Sequence, residues 1–201
     1  APGWGRGVVL VLVASLAAIS KMAGLTVDDL GLARRTWWRG LRWGAAAAAM
    51  GAAGYLVALA IPAVRDAVTP ADDSSWGDVL LQSLVVIPLG TVLGEEFAFR
   101  GVLWSLLRRA RGQWFATVVS SALFALWHVL PALGGSAVNE VVTDTVGGGS
   151  GDALLVAVTV VFTGLAGVLL CELRVRSGSL LAPILLHWAV NGLGVLFVAL
   201  A

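Results

Sequence analysis

Residues 152–172 read DALLVAVTVVFTGLAGVLLCE. No charged side chain lies between Asp152 and Glu172, and a helix over this stretch would be about 30 Å long, which matches the hydrocarbon core of a bilayer. The stretch lacks the alternation of polar and apolar residues that marks a transmembrane strand. Since a helix also satisfies every backbone hydrogen bond in lipid, the stretch predicts a membrane-spanning helix.

Five further stretches are long and apolar, and only 79–107 contains charged residues, so that six spans are predicted in all: 7–20, 44–64, 79–107, 113–133, 152–172 and 179–200. Apolar residues make up 59% of the 201 residues and charged residues only 12%, about half of what soluble domains carry. This balance excludes a soluble enzyme, a disordered chain and a nucleic-acid binder with a basic face. The fold class that we predict is an all-α, polytopic transmembrane helix bundle.

Charge alternates between the connections. Basic residues collect in 21–43, 108–112 and 173–178, whereas the connections between them are acidic, with Asp66, Asp72, Asp73, Asp78, Glu140, Asp144 and Asp152. By the positive-inside rule the basic connections are cytoplasmic. With a composition rich in alanine, glycine, valine and arginine, the chain is expected to be a multi-pass protein of a bacterial plasma (cell inner) membrane, with the lipid bilayer as its surroundings.

The basic connection 26–43 is predicted to form an interfacial amphipathic helix, because three tryptophans, Trp37, Trp38 and Trp43, are interspersed with arginines. We therefore divide the chain into an N-terminal span with this helix, 1–43, and a membrane-embedded core, 44–201. The chain begins with Ala1 rather than methionine, and we expect that part of the natural N-terminus is missing.

Polar side chains inside the predicted spans are few. A charged residue at the bilayer centre costs at least about 2.5 kcal/mol, so each one is a candidate functional residue. Glu96 and Arg100 are four positions apart and can pair on one helix face. Glu95 is rotated about 100° from Glu96 and has to find its partner on another helix.

The only two histidines of the chain, His128 and His187, also lie within predicted spans, and Asn191 follows His187 by four positions. His187 and Asn191 can thus point into the same cavity. We expect one carboxylate, two imidazoles and one amide to converge from three helices, with Glu95 as the carboxylate.

Two chemistries fit this set, and the residues alone leave both open. A carboxylate beside an imidazole can deprotonate a water that attacks a carbonyl, with an amide or a second imidazole as donor to the oxyanion. Alternatively, Glu95, His128 and His187 form a metal site, with zinc as the expected ion and an open position for water. Either arrangement would hydrolyse a peptide bond without a serine or cysteine nucleophile.

Other interpretations use the same residues. A transporter or proton relay could use the glutamate and histidines as a titrating chain, although paired halves with broken helices are not visible in the sequence. Intramembrane histidines and asparagines also join helices by hydrogen bonds. Trp127 and Trp188 each adjoin a histidine, and they either wall a cavity or pack between helices.

Three motifs occur in order: Glu95-Glu96-x-x-x-Arg100, Phe124-x-x-x-His128 and His187-x-x-x-Asn191. In order and spacing they resemble the CPBP family of intramembrane endopeptidases, which comprises CAAX proteases and bacteriocin-processing enzymes and is also called the Abi family. The resemblance covers about 79–200. It implies an all-helical intramembrane bundle.

The resemblance also implies residue roles. Glu95 would be the general base that activates water with His128, and His187 and Asn191 would stabilise the oxyanion. Glu96 and Arg100 would shape the site, together with Phe124 of the second motif. The substrate would be a peptide or a membrane protein, and no nucleic acid is expected.

The family leaves zinc and a metal-independent glutamate mechanism equally open, and it includes the alternative of a non-catalytic immunity or scaffold protein. The bacterial substrate and the oligomeric state are not specified by the sequence.

Overall fold

The computed structural model describes residues 4–66, 75–133 and 148–201. Over these ranges the chain is helical and contains no strand, which confirms the predicted all-α class. The long helices are α1 (Trp4–Met22), α2 (Trp37–Ala60), α3 (Trp76–Arg111), α4 (Gln113–Trp127), α5 (Gly148–Ser177) and α6 (Leu181–Leu200). Three short helices, Arg34–Thr36, Pro62–Asp66 and Val129–Leu133, lie between them.

Five helical stretches are long and apolar enough to cross a membrane: Arg34–Ala60, Trp76–Arg111, Gln113–Ala132, Ala153–Ser177 and Leu181–Leu200. The sixth predicted span, 7–20, is helical within α1, but its described apolar stretch, Val11–Met22, is shorter than these five. The polytopic bundle is therefore confirmed, with five spans by these criteria. Among the predicted acidic connections, Asp72, Asp73, Glu140 and Asp144 lie outside the described residues.

The structure divides the predicted interfacial helix 26–43 into different parts. Turns occupy the segment up to Gly31, which has a positive φ of 73°, and α2 begins at Trp37. The tryptophans of this region are exposed on the first two turns of α2 instead of lying on a separate helix. Helix α2 packs closely on α6, which a glycine in α2 allows: a Cβ at Gly44 would lie 2.7 Å from Leu185. The division of the chain at residue 43 stays a prediction.

Helix α3 changes its winding along its length. It has π-helical turns at Gln82–Val86, Pro88–Val92 and Phe97–Leu103, and an α-helical turn at Leu93–Glu96. Pro88 has no N–H to donate to the preceding turn, so a change of winding there is expected. π-Helical turns are frequent at functional sites, and in α3 they flank the turn that carries Glu95 and Glu96.

Helix α4 ends directly before His128, at a tight turn. The backbone N–H of His128 bonds to Ala125 O at 3.1 Å rather than to Phe124 O, and the short helix Val129–Leu133 follows. Pro131 has no N–H for an α-helical bond to Trp127, which favours the end of α4 at this point. Phe124 O is thereby left free for another donor.

Helices α3 and α6 approach closely near the middle of the bundle. Ser83 Oγ donates to Gly192 O at 2.8 Å, and Trp188 Nε1 donates to Ser83 O at 2.9 Å. A Cβ added to Gly192 would lie 3.0 Å from Ser83 O and 2.7 Å from Trp188 Nε1. A small residue at 192 is therefore required for this contact, which sets the position of α6 beside α3.

The basic end of the bundle is tied together through the loop between α1 and α2. Arg109 of α3 donates to Ala23 O and Gly24 O, and Ser105 donates to Asp29 O at 2.7 Å. Arg174 of α5 also donates to Asp29 O, at 2.7 Å. The loop thus connects helices that are distant in sequence.

The Asp29 carboxylate completes this loop. Hydrogen bonds from the Thr26 side chain and backbone, and the ion pair with Arg109 at 2.7 Å, hold the pKa of Asp29 below its usual 3.8. The ionised carboxylate is therefore the form that the folded loop stabilises.

Candidate active site

Three of the four predicted catalytic side chains converge from three helical segments. Oε2 of Glu95, on α3, lies 3.9 Å from Nε2 of His128, which follows α4, and 3.8 Å from Nε2 of His187 on α6. Both distances are longer than a hydrogen bond, so the three groups face one another without bonding directly. This is the arrangement in which a shared small ligand can contact all three.

The other nitrogen of each imidazole is held by an oxygen acceptor. His128 Nδ1 lies 2.8 Å from Phe124 O, the carbonyl left free at the end of α4, and His187 Nδ1 lies 2.7 Å from Glu96 Oε1. A backbone carbonyl carries no hydrogen, so Nδ1 is the donor in His128, and with Glu96 as the carboxylate that pairs with Arg100, Nδ1 is also the donor in His187. The Nε2 atoms are thereby the ones presented to Glu95, and both ring orientations are fixed.

The predicted pair of Glu96 and Arg100 is present and completely buried. Arg100 Nη1 donates to Glu96 Oε1 at 2.8 Å, and neither side chain is exposed. The guanidinium also lies 4.0 Å from the ring centroid of Phe124, a cation–π contact. Because Glu96 Oε1 accepts from both Arg100 and His187, the pair does more than balance charge: it orients one of the two imidazoles.

Phe124 occupies the centre of this group. Its ring makes edge contacts with the rings of His128, at a centroid distance of 4.4 Å, and His187, at 5.7 Å. The predicted site-shaping role is consistent with these contacts, because the ring limits the movement of both imidazoles.

Trp127 is a polar partner of Glu95 that the sequence did not identify. Its Nε1 donates to Glu95 Oε1 at 3.1 Å. Its place beside His128, away from the ends of the span, was the available signal, but the same signal applies to Trp188. Trp188 bonds instead to Ser83, outside the site.

Asn191 makes no hydrogen bond to the other candidates. It is half-buried on α6, one turn beyond His187, and the structure gives it no hydrogen bond to a described residue. His187 and Asn191 lie on one helix at the predicted spacing, and the structure shows no hydrogen bond from the amide to the glutamate or the histidines.

A metal ion was one of the two expected chemistries. In a tetrahedral zinc site with bonds of about 2.0–2.1 Å, ligand atoms lie about 3.4 Å apart, and the separations from Glu95 Oε2 are wider than this. Within the described ranges, no group of three or more His, Cys, Asp or Glu side chains is placed to hold a metal ion. As arranged, Glu95, His128 and His187 are thus not at zinc-bonding separations, and the use of a metal ion stays a prediction.

Comparison with known proteins places this site in a family. Residues 77–193 match the family model described as type II CAAX prenyl endopeptidase Rce1-like. This chain belongs to that family. The Rce1-like region covers the end of the chain that holds α3 to α6, and it includes all seven candidate residues, whereas α1 and α2 precede it.

One curated relative of this Rce1-like chain is an Escherichia coli protein named "Uncharacterized 24.3 kDa protein", which is 30% identical over 142 residues. The match covers 70% of this chain and 54% of the relative, so the chain spans about half the length of that protein. No solved structure matches the chain. The family therefore establishes a CAAX-protease-like membrane protein, and the substrate and mechanism are matters for proposal.

Proposed function

We propose that this chain is an intramembrane endopeptidase in which Glu95 activates water for attack on a peptide bond. The observation that carries the proposal is the convergence of Glu95 Oε2 with the Nε2 atoms of His128 and His187 inside an apolar helix bundle. The Rce1-like family membership supports a peptide substrate in a membrane.

The chemistry follows from the orientation of these groups. Glu95 accepts a proton from water, and the hydroxide forms a bond to the carbonyl carbon of the peptide. The tetrahedral intermediate then collapses as the C–N bond breaks, and Glu95 returns the proton to the leaving amine. His128, held through Nδ1 by Phe124 O, directs Nε2 to the water beside Glu95.

The oxyanion needs a donor on the opposite side of the carbonyl. We assign this role to His187 and Asn191, which share a face of α6. Because Nδ1 of His187 donates to Glu96, the ring donates to the oxyanion through Nε2 only when both nitrogens carry a proton, with Glu96 as the counter-ion. His187 is 5% exposed and is oriented by Glu96, and Asn191 is half-buried and has no described hydrogen bond to break before it donates.

The site is proposed to lie in a bacterial plasma membrane, with the basic ends of the helices on the cytoplasmic side. These ends carry the bonds of Arg109 and Arg174 to the α1–α2 loop, which supports placing both arginines on the same side of the membrane. Cysteine labelling of Trp114→Cys, at an exposed position of this end, in intact cells and in lysed cells tests the orientation; labelling only after lysis is expected.

The proposed activity is tested with purified protein in lipid nanodiscs and a panel of peptides, with and without a prenylated C-terminal cysteine. Wild type is expected to cleave at least one peptide and Glu95→Gln none. Glu172→Gln is the matched control, because Glu172 is an exposed carboxylate that pairs with Arg176 outside the site. Cleavage by Glu95→Gln at the wild-type rate would refute the proposal.

A chelation experiment and a flux experiment separate the glutamate mechanism from a zinc mechanism, a transporter and a non-catalytic protein. Activity retained after chelation, in protein shown by elemental analysis to lack zinc, is expected from the glutamate mechanism, whereas activity restored only by zinc would replace it with the metal-dependent one. Proton or solute flux in sealed vesicles, lost in Glu95→Gln without any peptide cleavage by wild type, would favour a transporter or proton relay. Absence of both activities would favour an immunity or scaffold protein.

A further inference from the structure

The two oxygens of the Glu95 carboxylate have different surroundings. Oε1 accepts the indole N–H of Trp127 at 3.1 Å, whereas Oε2 faces the histidine Nε2 atoms at 3.8 and 3.9 Å and has no hydrogen bond to a described residue. An indole N–H is a donor only, so it can bond to a carboxylate oxygen but never replace it as a base. The two oxygens are therefore not equivalent.

Trp127 is itself held in place. It is the last residue of α4, directly before the turn at His128, and its ring makes an edge contact with Phe99 at a centroid distance of 6.4 Å. About half of Trp127, 54%, is exposed at the bundle surface, whereas the Glu95 side chain is only 14% exposed. The indole thus reaches from the surface of the bundle to the carboxylate.

We infer that Trp127 is a positioning residue, whose indole N–H fixes the Glu95 carboxylate so that Oε2 is the oxygen presented to water. This inference rests on the proposed role of Glu95 as the base. The terminal torsion of a glutamate is broad, so an unheld carboxylate samples orientations in which neither oxygen faces the histidines. Holding one oxygen removes those orientations before the reaction begins.

Trp188 provides a matched control within the same chain. It also adjoins a histidine, His187, and its Nε1 also makes one hydrogen bond, to Ser83 O at 2.9 Å. This bond joins α3 to α6 and does not touch the Glu95 carboxylate. Loss of the Trp188 bond is therefore a structural change, whereas loss of the Trp127 bond acts on the proposed base.

The test compares Trp127→Phe, Trp188→Phe and Glu95→Gln in nanodiscs, on the peptide of the panel that wild type cleaves fastest. Trp127→Phe is expected to lower kcat by about 10-fold to 100-fold with KM within about twofold, because an aromatic ring remains while the N–H that orients the base is lost. Its unfolding midpoint should stay close to that of wild type. Trp188→Phe is expected to keep kcat and to lower the unfolding midpoint.

A second variant separates the N–H from the bulk of the ring. Trp127→3-benzothienylalanine keeps the bicyclic shape and replaces N–H by sulfur, so the same loss of kcat is expected. Wild-type kcat in both Trp127 variants, with Glu95→Gln inactive, would overturn the inference alone. Cleavage by Glu95→Gln at the wild-type rate would overturn the proposed function and this inference with it.

Discussion

Oε1 of Glu96 lies 2.7 Å from Nδ1 of His187, across 91 positions of sequence, and joins the interior of α3 to α6. The same oxygen accepts the bond from Arg100. The buried ion pair of Glu96 and Arg100 is thus also part of the support of a candidate catalytic imidazole. Removal of the Glu96 carboxylate should therefore lower both the stability of the protein and the cleavage activity.

Replacement of Glu96 tests this double role. Glu96→Gln leaves the charge of Arg100 uncompensated in the bundle interior, so the free energy of unfolding should fall by about 3 kcal/mol or more, and cleavage should be lost. The measurement is denaturant unfolding in micelles, with the peptide assay on the same preparation.

Glu172→Gln is the control for Glu96→Gln, since Glu172 and Arg176 form a pair with the same i,i+4 spacing but exposed to solvent. Its effect should be within about 1 kcal/mol. Equal losses in the two variants would contradict the structural role given to the buried pair.

Replacement of Pro131 tests whether the end of α4 at His128 orients the His128 imidazole. In Pro131→Ala the backbone can continue as an α-helix, and the N–H of His128 can then take Phe124 O from the imidazole. We expect kcat to fall about 10-fold while the unfolding midpoint is unchanged or raised. Pro62→Ala, at the first position of a short helix, should change neither quantity, because proline is tolerated there. Unchanged kcat in Pro131→Ala would show that this turn does not orient His128.

The contact between α3 and α6 is tested at Gly192. A methyl group there meets Ser83 O and the Trp188 indole, so Gly192→Ala should lower the free energy of unfolding by about 1–3 kcal/mol. Gly54→Ala, on α2, meets no atom within 4 Å and should be neutral or slightly stabilising. A Gly192→Ala protein as stable as Gly54→Ala would disprove the close approach.

The ionised Asp29 in the α1–α2 loop should make the stability of the protein depend on pH. Because the folded pKa of Asp29 is below its usual 3.8, the stability that the carboxylate contributes is present above about pH 3.8 and is lost as the pH falls through the folded pKa. Unfolding midpoints of wild type and Asp29→Asn should therefore differ at neutral pH and approach each other in acid. Thr26→Val removes the largest cause of the lowered pKa and should show part of the same change. A difference that is constant down to about pH 2 would contradict the assignment.

The apolar stretches and the residue spacing along single helices were enough to predict part of the fold and part of the candidate site. The spans follow from apolar length, and the pairing of Glu96 with Arg100 follows from the helical period. The scarcity of charge within the spans singled out Glu95, His128 and His187, which the fold then brings together.

Features that depend on the rotation of one helix against another were not predicted. Two examples are the bond of Glu96 to His187 and the bond of Trp127 to Glu95, which depend on the winding of α3 and on where α4 ends. A change from α- to π-helical turns rotates every later side chain, and neither its position nor its extent is encoded in apolar periodicity. The prediction of one interfacial helix over 26–43 was wrong for another reason. Tryptophans and arginines are typical of the start of a membrane span as well as of a separate interfacial helix.

The ring of Phe124 touches a cation and two imidazoles at once, and this has a consequence for engineering the protein. No single substitution at this position can alter one neighbour and spare the other two, so a survey of variants at 124 should yield a single phenotype, joint loss of fold and turnover, with no graded series.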